Sequence, residues 1–380
     1  MLHLPILRAG VPYASLKKNV VRDIRSGEPL AEVSMANRGL IRLDLALAAK
    51  HKQRLAEFDT GALVAICHRA AVLFMEAELP LGEATQTADD YIAQTSASTG
   101  LPQALCRANM NKISTVLGSI EKVLDGLTRG LDLAVLDDGA LHSSQDRNLS
   151  YVCQTQALGC VLPSNSPGVH SLWLPAIPLK VPVVLKPGAE EPWTPFRIAQ
   201  ALVAAGCPAQ AFGFYPTDHG GAAEILLQCG RSLLFGGGVT VDPWRTEPGV
   251  QIHGPGRSKI LLGADTAPQW LEHLDLIEQS ISENGGRSCI NASGVWTPSH
   301  GRELAEALAQ RLAQIDRLVL EHVRGERIAI IWDAVAPGVD RQRGSRVIEE
   351  SGIGRRAKRW IHHDAHRRAA RRRVAHGELR

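Results

Sequence analysis

From residue 38 to residue 135, apolar side chains recur three and four positions apart, as in "LIRLDLALAAKHKQRLAEF" and "GALVAICHRAAVLFMEAEL", with few Gly or Pro to interrupt them. That spacing matches the 3.6-residue turn of an amphipathic helix and predicts a helical front. Beyond about Ser150 the texture changes to short apolar runs bounded by Gly and Pro: "GCVLP", "VPVVLKP", "AQAFGFYP", "RSLLFGGG", "GVQIHG" and "KILLG". Such runs, separated by helix-length segments, are what a parallel sheet with covering helices produces, so the fold class is α/β. Helices are predicted at about 193–205, 218–229, 266–283 and 300–323. No internal repeat is evident.

The chain has 380 residues, 44% of them hydrophobic, which is enough for one large core or two to three domains and excludes collagenous or wholly disordered classes. No run of about eighteen apolar residues suggests a membrane span, and the N-terminus lacks a basic start followed by an apolar stretch, so a cytoplasmic protein is expected. Seven cysteines without any Cys-x-x-Cys spacing argue against a disulfide framework or a zinc site and for reduced thiols, and no metal is expected.

The net charge of +3 hides an asymmetry. Residues 341–380 hold twelve Arg and one Lys against four acids, a balance of +9, while the preceding body has 29 basic and 35 acidic residues. The body is therefore mildly acidic and the tail strongly basic.

Candidate chemistry begins at "ENGGRSCINASG", residues 283–294. A glycine-rich approach to one cysteine suits a thiol presented from a tight loop, which makes Cys289 a candidate nucleophile; core filling is the alternative for any free cysteine. In "LGCVLPSNSPGVHSLWLPAIPLKVPVVLKPG", Asn165 falls just past one strand end and Lys186 at the end of the next. Open parallel sheets bind ligands at the carboxyl ends of their strands. Asn165 is either an oxyanion donor or the cap of a turn, and Lys186 either a cofactor-binding point charge or a solvated lysine.

The ordered set "PSNSP", "VPVVLKPGAEEPWTP", "SLLFGGG", "HGPGRSK" and "NGGRSC" resembles the aldehyde dehydrogenase superfamily, with each motif in the family's order and at similar spacing over about 135 residues. The helical front is compatible with that family's N-terminal part, so the resemblance spans residues 10–335. It implies a Rossmann-type parallel-sheet cofactor domain and an α/β catalytic domain: 1–150 as the helical N-terminal part of the cofactor domain, 151–252 as its core, 253–340 as an incomplete catalytic domain, and 341–380 as an Arg-rich tail. It implies an aldehyde or acyl-CoA substrate and NAD or NADP as cofactor, with Cys289 attacking the aldehyde to give a thiohemiacetal and then a thioester. Asn165 would be the oxyanion amide, with the backbone N–H of Cys289 as its partner, and Lys186 would hold the adenosine ribose. Pro163, Ser164, Gly237 and Gly238 would contact the cofactor. The ribose-binding glutamate has no clean counterpart because "KPGAEEP" is longer; Glu190 takes that part, and NAD against NADP stays open.

Several features depart from the family pattern. His253 in "HGPGRSK", 36 residues before Cys289, stands where the family has its general base. Imidazole has a suitable pKa for that work. The same substitution resembles the acylating branch, in which coenzyme A rather than water removes the acyl group, and that branch is the favoured expectation. There, His253 assists thiol attack or fills space. In "FGGGVTVDPWRTEPG", Pro243 and Pro248 forbid the long helix that relatives place there. Only 91 residues follow Cys289, and the family's Glu-x-Phe-x-Pro motif is not among them. The tail therefore reads as the product of a disrupted reading frame, which resequencing of the locus and the same tail in close relatives would refute. An alternative is a catalytically inactive truncated remnant or pseudoenzyme whose tail binds nucleic acid or anionic surfaces. A single aromatic, Trp360, in the tail argues against a specific nucleic-acid function. Relatives form homo-oligomers through a C-terminal strand that this sequence is expected to lack.

Overall fold

A computed structural model describes residues 1–138 and 151–314. They cluster into two compact units, Met1–Pro255 and a second that begins at Gly256.

The first unit opens with strands, not helices: β1 (Leu2–Leu4), β2 (Ile6–Arg8), β3 (Val11–Tyr13), β4 (Lys18–Arg22) and β5 (Pro29–Ser34). The expectation of a helical N-terminal part over 1–150 is corrected here. Residues 1–37 hold no three-and-four spacing, and alternation in "LAEVS" and "KNVVR" forms a hairpin instead, with β1 alongside β5. The helical front follows as α1 (Arg38–Leu45), α2 (Ala48–Ala56) and α3 (Thr60–Glu76), then a hairpin of β6 (Leu79–Leu81) and β7 (Ala84–Gln86). Helices α4 (Ala88–Thr99), α5 (Gln103–Leu117), α6 (Ile120–Thr128) and α7 (Val135–Asp138) complete it. Caps set these boundaries: Asn37 accepts from the Leu40 N–H ahead of α1, and Thr87 with Asp90 forms a capping box on α4, which ends at left-handed Gly100.

The alternation of runs and helices after residue 150 becomes β8 (Leu158–Val161), β9 (Val183–Lys186), α8 (Trp193–Ala204), β10 (Phe212–Phe214), α9 (His219–Gln228), β11 (Arg231–Phe235), α10 (Gly238–Val241) and β12 (Val250–His253). In space the described sheet runs β12-β11-β8-β9-β10-β2-β3. The five strands from β12 to β10 are mutually parallel, and β2 and β3 extend the sheet antiparallel. The parallel strands therefore leave β8 in two directions, β9 and β10 to one side, β11 and β12 to the other. This is the doubly wound order, and its switch point lies between β8 and β11. The predicted helices at 193–205 and 218–229 are α8 and α9, while the two prolines after α10 confine it to four residues, followed by a single 3-10 turn.

The second unit contains a parallel pair, β13 (Ile260–Leu261) and β14 (Val295–Trp296), with α11 (Leu274–Ser282) and α12 (Gly301–Ala313). Leu304, Leu308 and Leu312, four apart on α12, share a core with Trp270, Leu274 and Ile277. Arg311 adds ion pairs to Asp275 and Glu278 of α11. The basic tail lies outside the described residues. Among those residues no single helix is long and apolar enough to cross a membrane.

Candidate active site

In the first unit, three loops leave the carboxyl ends of β8, β9 and β11. Pro163, Ser164 and Asn165 are half-buried on the first, directly after β8. Lys186 is the last residue of β9, and the Leu162 N–H donates to its carbonyl at 2.9 Å, so the two loops start in register. A Cβ on Gly188 would lie 2.2 Å from Ser164 Oγ and 2.8 Å from the Pro163 carbonyl, a spacing only glycine permits. The Glu190 N–H then donates to Ser164 Oγ at 3.3 Å. Pro163, Ser164, Lys186 and Glu190, chosen from sequence as cofactor contacts, are thus brought together. Burial lowers the pKa of the half-buried Lys186 ammonium, and the charge of Glu190 opposes that effect.

Sequence reasoning passed over the residues that hold this loop. Glu191, His170 and Thr194 are fully buried. His170 Nδ1 accepts from Trp173 Nε1 at 3.3 Å, so its Nε2–H is the group that meets Glu191 Oε2 at 3.0 Å. The other Glu191 oxygen accepts from the Thr194 N–H at 2.9 Å and its hydroxyl at 2.6 Å, ending the loop at the first turn of α8. The available signal was a carboxylate three residues before "TP", which an N-terminal cap search would have found.

Gly237 caps α10 and Gly238 opens it, both beside the switch point. Gly237 is exposed with open space where a side chain would stand. His253 ends β12, and its ring stacks on Phe235 of β11 with centroids 4.4 Å apart and planes 14° from parallel. Burial lowers its pKa, which keeps the imidazole neutral near pH 7. Its Nε2 is buried with no hydrogen-bond partner among the described residues. A buried polar atom in that state is a place where a ligand, substrate or water is expected.

In the second unit, Cys289 lies half-buried in a turn beyond α11. Asn284, Gly285 and Gly286 are three consecutive left-handed residues, with φ of 55°, 66° and 67°, which is why this loop is written Asn-Gly-Gly. Side chains brace it: Asn284 Nδ2 donates to Ser288 Oγ at 3.0 Å, the Ser288 N–H donates to Asn291 Oδ1 at 2.8 Å, and Asn291 Nδ2 donates to the Glu283 carbonyl at 3.0 Å. A second segment closes on the cysteine. A Cβ on Gly256 would stand 1.6 Å from the Cys289 carbonyl oxygen, so only glycine allows this approach, a role the sequence pattern did not reveal. The other six cysteines are buried except Cys153, and burial pushes the thiols of Cys67 and Cys229 up to about 12, which leaves them inert.

No protein-family model matches the sequence. Phenylacetaldehyde dehydrogenase of Pseudomonas fluorescens is 26% identical over 207 residues, which are 52% of this chain and 39% of that protein. An aldehyde dehydrogenase structure from Bartonella henselae superposes with a TM-score of 0.70 at 15% identity, covering 93% of this chain and 73% of that one. An NAD-dependent aldehyde dehydrogenase from Sinorhizobium meliloti gives 0.66 at 18% identity, covering 86% of this chain and 64% of that one. The chain therefore spans well under two thirds of the curated relative it matches. With a parallel sheet of doubly wound order and these structural neighbours, the chain has the aldehyde dehydrogenase fold, and its sequence match supports the resemblance to the aldehyde dehydrogenase superfamily carried by its motifs.

Proposed function

We propose that this protein oxidises an aldehyde with NAD or NADP through a covalent intermediate on Cys289, with coenzyme A accepting the acyl group. The observation that carries the reading is the presentation of Cys289, half-buried, on a loop built from three left-handed residues and closed by the Gly256 backbone. Such a loop holds one thiol in a fixed place, which nucleophilic attack requires and core packing does not.

The first unit is the cofactor-binding body and the second the catalytic part in this reading. The residues at the carboxyl ends of these strands fit a dinucleotide: Lys186 offers a charge and a donor to ribose hydroxyls, Glu190 offers a carboxylate to the same group, and Gly237 leaves room for backbone approach. The nicotinamide, when bound, accepts the hydride. Cys289 loses its proton, adds to the aldehyde carbon and becomes the thioester sulfur once hydride has left. The Asn165 amide is the proposed donor to the oxyanion, worth on the order of a hundredfold in rate in other enzymes. Neutral His253, with its unpartnered Nε2, is able to take the proton of an attacking thiol or water.

Reduced-cofactor formation by the purified chain with an aldehyde panel, with and without coenzyme A, alongside Cys289→Ala, tests this. Turnover that depends on both Cys289 and coenzyme A is expected. Equal turnover without coenzyme A would assign His253 to hydrolysis, and folded protein with no turnover would make the chain an inactive remnant.

A further inference from the structure

The residues beside Cys289 carry a charge bias that the reaction itself does not require. Strands β13 and β14 pair in parallel, Ile260 opposite Val295 and Leu261 opposite Trp296. The Ser293 N–H extends that pairing by donating to the Ser258 carbonyl at 2.8 Å, and Gly256 abuts the Cys289 carbonyl. The segment 256–261 thus runs alongside 289–296. Together with the residues leading into Cys289, these stretches hold Arg257, Lys259 and Arg287 against a single acid, the exposed Glu283 at the start of the loop.

The lysine is not loosely placed. Its stem lies against Gly294, and Nζ donates to Ser293 Oγ and, at 3.2 Å, to the Arg257 carbonyl. Arg257 and Lys259 are exposed and Arg287 half-buried. Arg311, in the same unit, is matched to two carboxylates, and the stretches flanking the cysteine carry three cations against the one acid, Glu283. Clustered charge of one sign raises the local concentration of the opposite ion, and the planar guanidinium fork suits a carboxylate or phosphate.

We propose that the Cys289 site takes an aldehyde bearing an anionic group, a carboxylate or phosphate, with Arg257 as its principal recognition residue and Lys259 and Arg287 supporting it. The inference rests on the dehydrogenase reading, and its test separates the two. Alkylation of Cys289 by iodoacetate, which is anionic, and by iodoacetamide, which is neutral, forms the same kind of thioether with loss of iodide and the thiol proton. Peptide mass spectrometry follows both rates, with exposed Cys153 in the same molecule as reference.

The anionic-to-neutral rate ratio at Cys289 is expected to exceed that at Cys153 by roughly fivefold at low ionic strength. It should fall towards the Cys153 value in about 0.5 M salt and in Arg257→Gln and Lys259→Gln. Equal ratios at the two cysteines, unmoved by Arg257→Gln, overturn the proposal. Turnover of 4-oxobutanoate against butanal then identifies the source of the anion: preference for the charged aldehyde, lost in Arg257→Gln, supports it. Turnover indifferent to aldehyde charge, with Arg257→Gln raising only the KM for coenzyme A, assigns the cations to that co-substrate and overturns it. A high alkylation ratio without turnover of any aldehyde retires the dehydrogenase reading while the anion preference at Cys289 stands.

Discussion

The two units hold their candidate residues in place by different means. In Met1–Pro255 the loops after β8 and β9 are fixed by burial: Glu191 and His170 form a solvent-free pair, and Glu191 also closes the first turn of α8. In the unit that begins at Gly256, Cys289 is fixed by backbone shape, through Asn284–Gly286 and the approach of Gly256, over a small core. A buried polar pair draws its strength from low dielectric and tolerates no loss of a partner. A loop shaped by glycine depends on the absence of a side chain, and any Cβ damages it. The first unit should therefore be fragile towards deletion of polar groups and the second towards addition of carbon.

Substitutions can break or sharpen that contrast. Cys289→Ala should cut turnover by about a thousandfold or more without lowering the melting temperature appreciably, measured by reduced-cofactor absorbance beside a thermal melt. Glu191→Ala strands His170 and the cap of α8, and a loss of about 3 kcal/mol in a urea titration is expected, with weakened NAD or NADP binding by fluorescence quenching. Unchanged stability there would show that the pair is not what holds the loop. Gly256→Ala should destabilise the second unit by about 2 kcal/mol and alter the alkylation rate of Cys289 while leaving cofactor binding intact. Gly285→Ala, at a left-handed position, should cost about 1 kcal/mol, less than Gly256→Ala.

The smallest effect is confined to acid. Arg42 and Arg38 hold the Glu224 carboxyl at about 2, below its ordinary 4.5, through hydrogen bonds and charge, with burial acting against them. A carboxylate whose folded pKa is depressed contributes stability above its unfolded value that is lost as pH falls towards the folded one. Glu224→Gln should therefore flatten the stability profile between about pH 4.5 and 2. A profile identical to that of the parent chain would show that the ion pairs at this site contribute nothing.

Much of the fold was legible along the chain. The segments 193–205 and 218–229 read as helices because their apolar spacing and flanking Gly, Pro and Asp signals are local, and α8 and α9 form within a residue or so of those bounds. The region 266–283 contains α11 behind a 3-10 stretch at Ala267–His273, where Pro268 sits in the first turn. Among the strands of residues 1–37, β1, β2 and β3 are three residues each and carry too little period to read, and β2 also pairs with β10, far along the chain.

By itself the sequence determined what is local: helix periods, strand runs, the arrest of α10 before Pro243, and the Asn-Gly-Gly turn ahead of Cys289, each set by backbone sterics within a few residues. Only the tertiary structure decided which strands are neighbours. The order β12-β11-β8-β9-β10 sets β9 beside β8, which gathers Pro163, Ser164, Lys186 and Glu190, and puts the switch point between β8 and β11; strand order depends on contacts between residues far apart in the chain. The same holds for Gly256 against Cys289 and for His170 against Glu191. Close approach and burial are properties of pairs, and no pattern within a single segment records them.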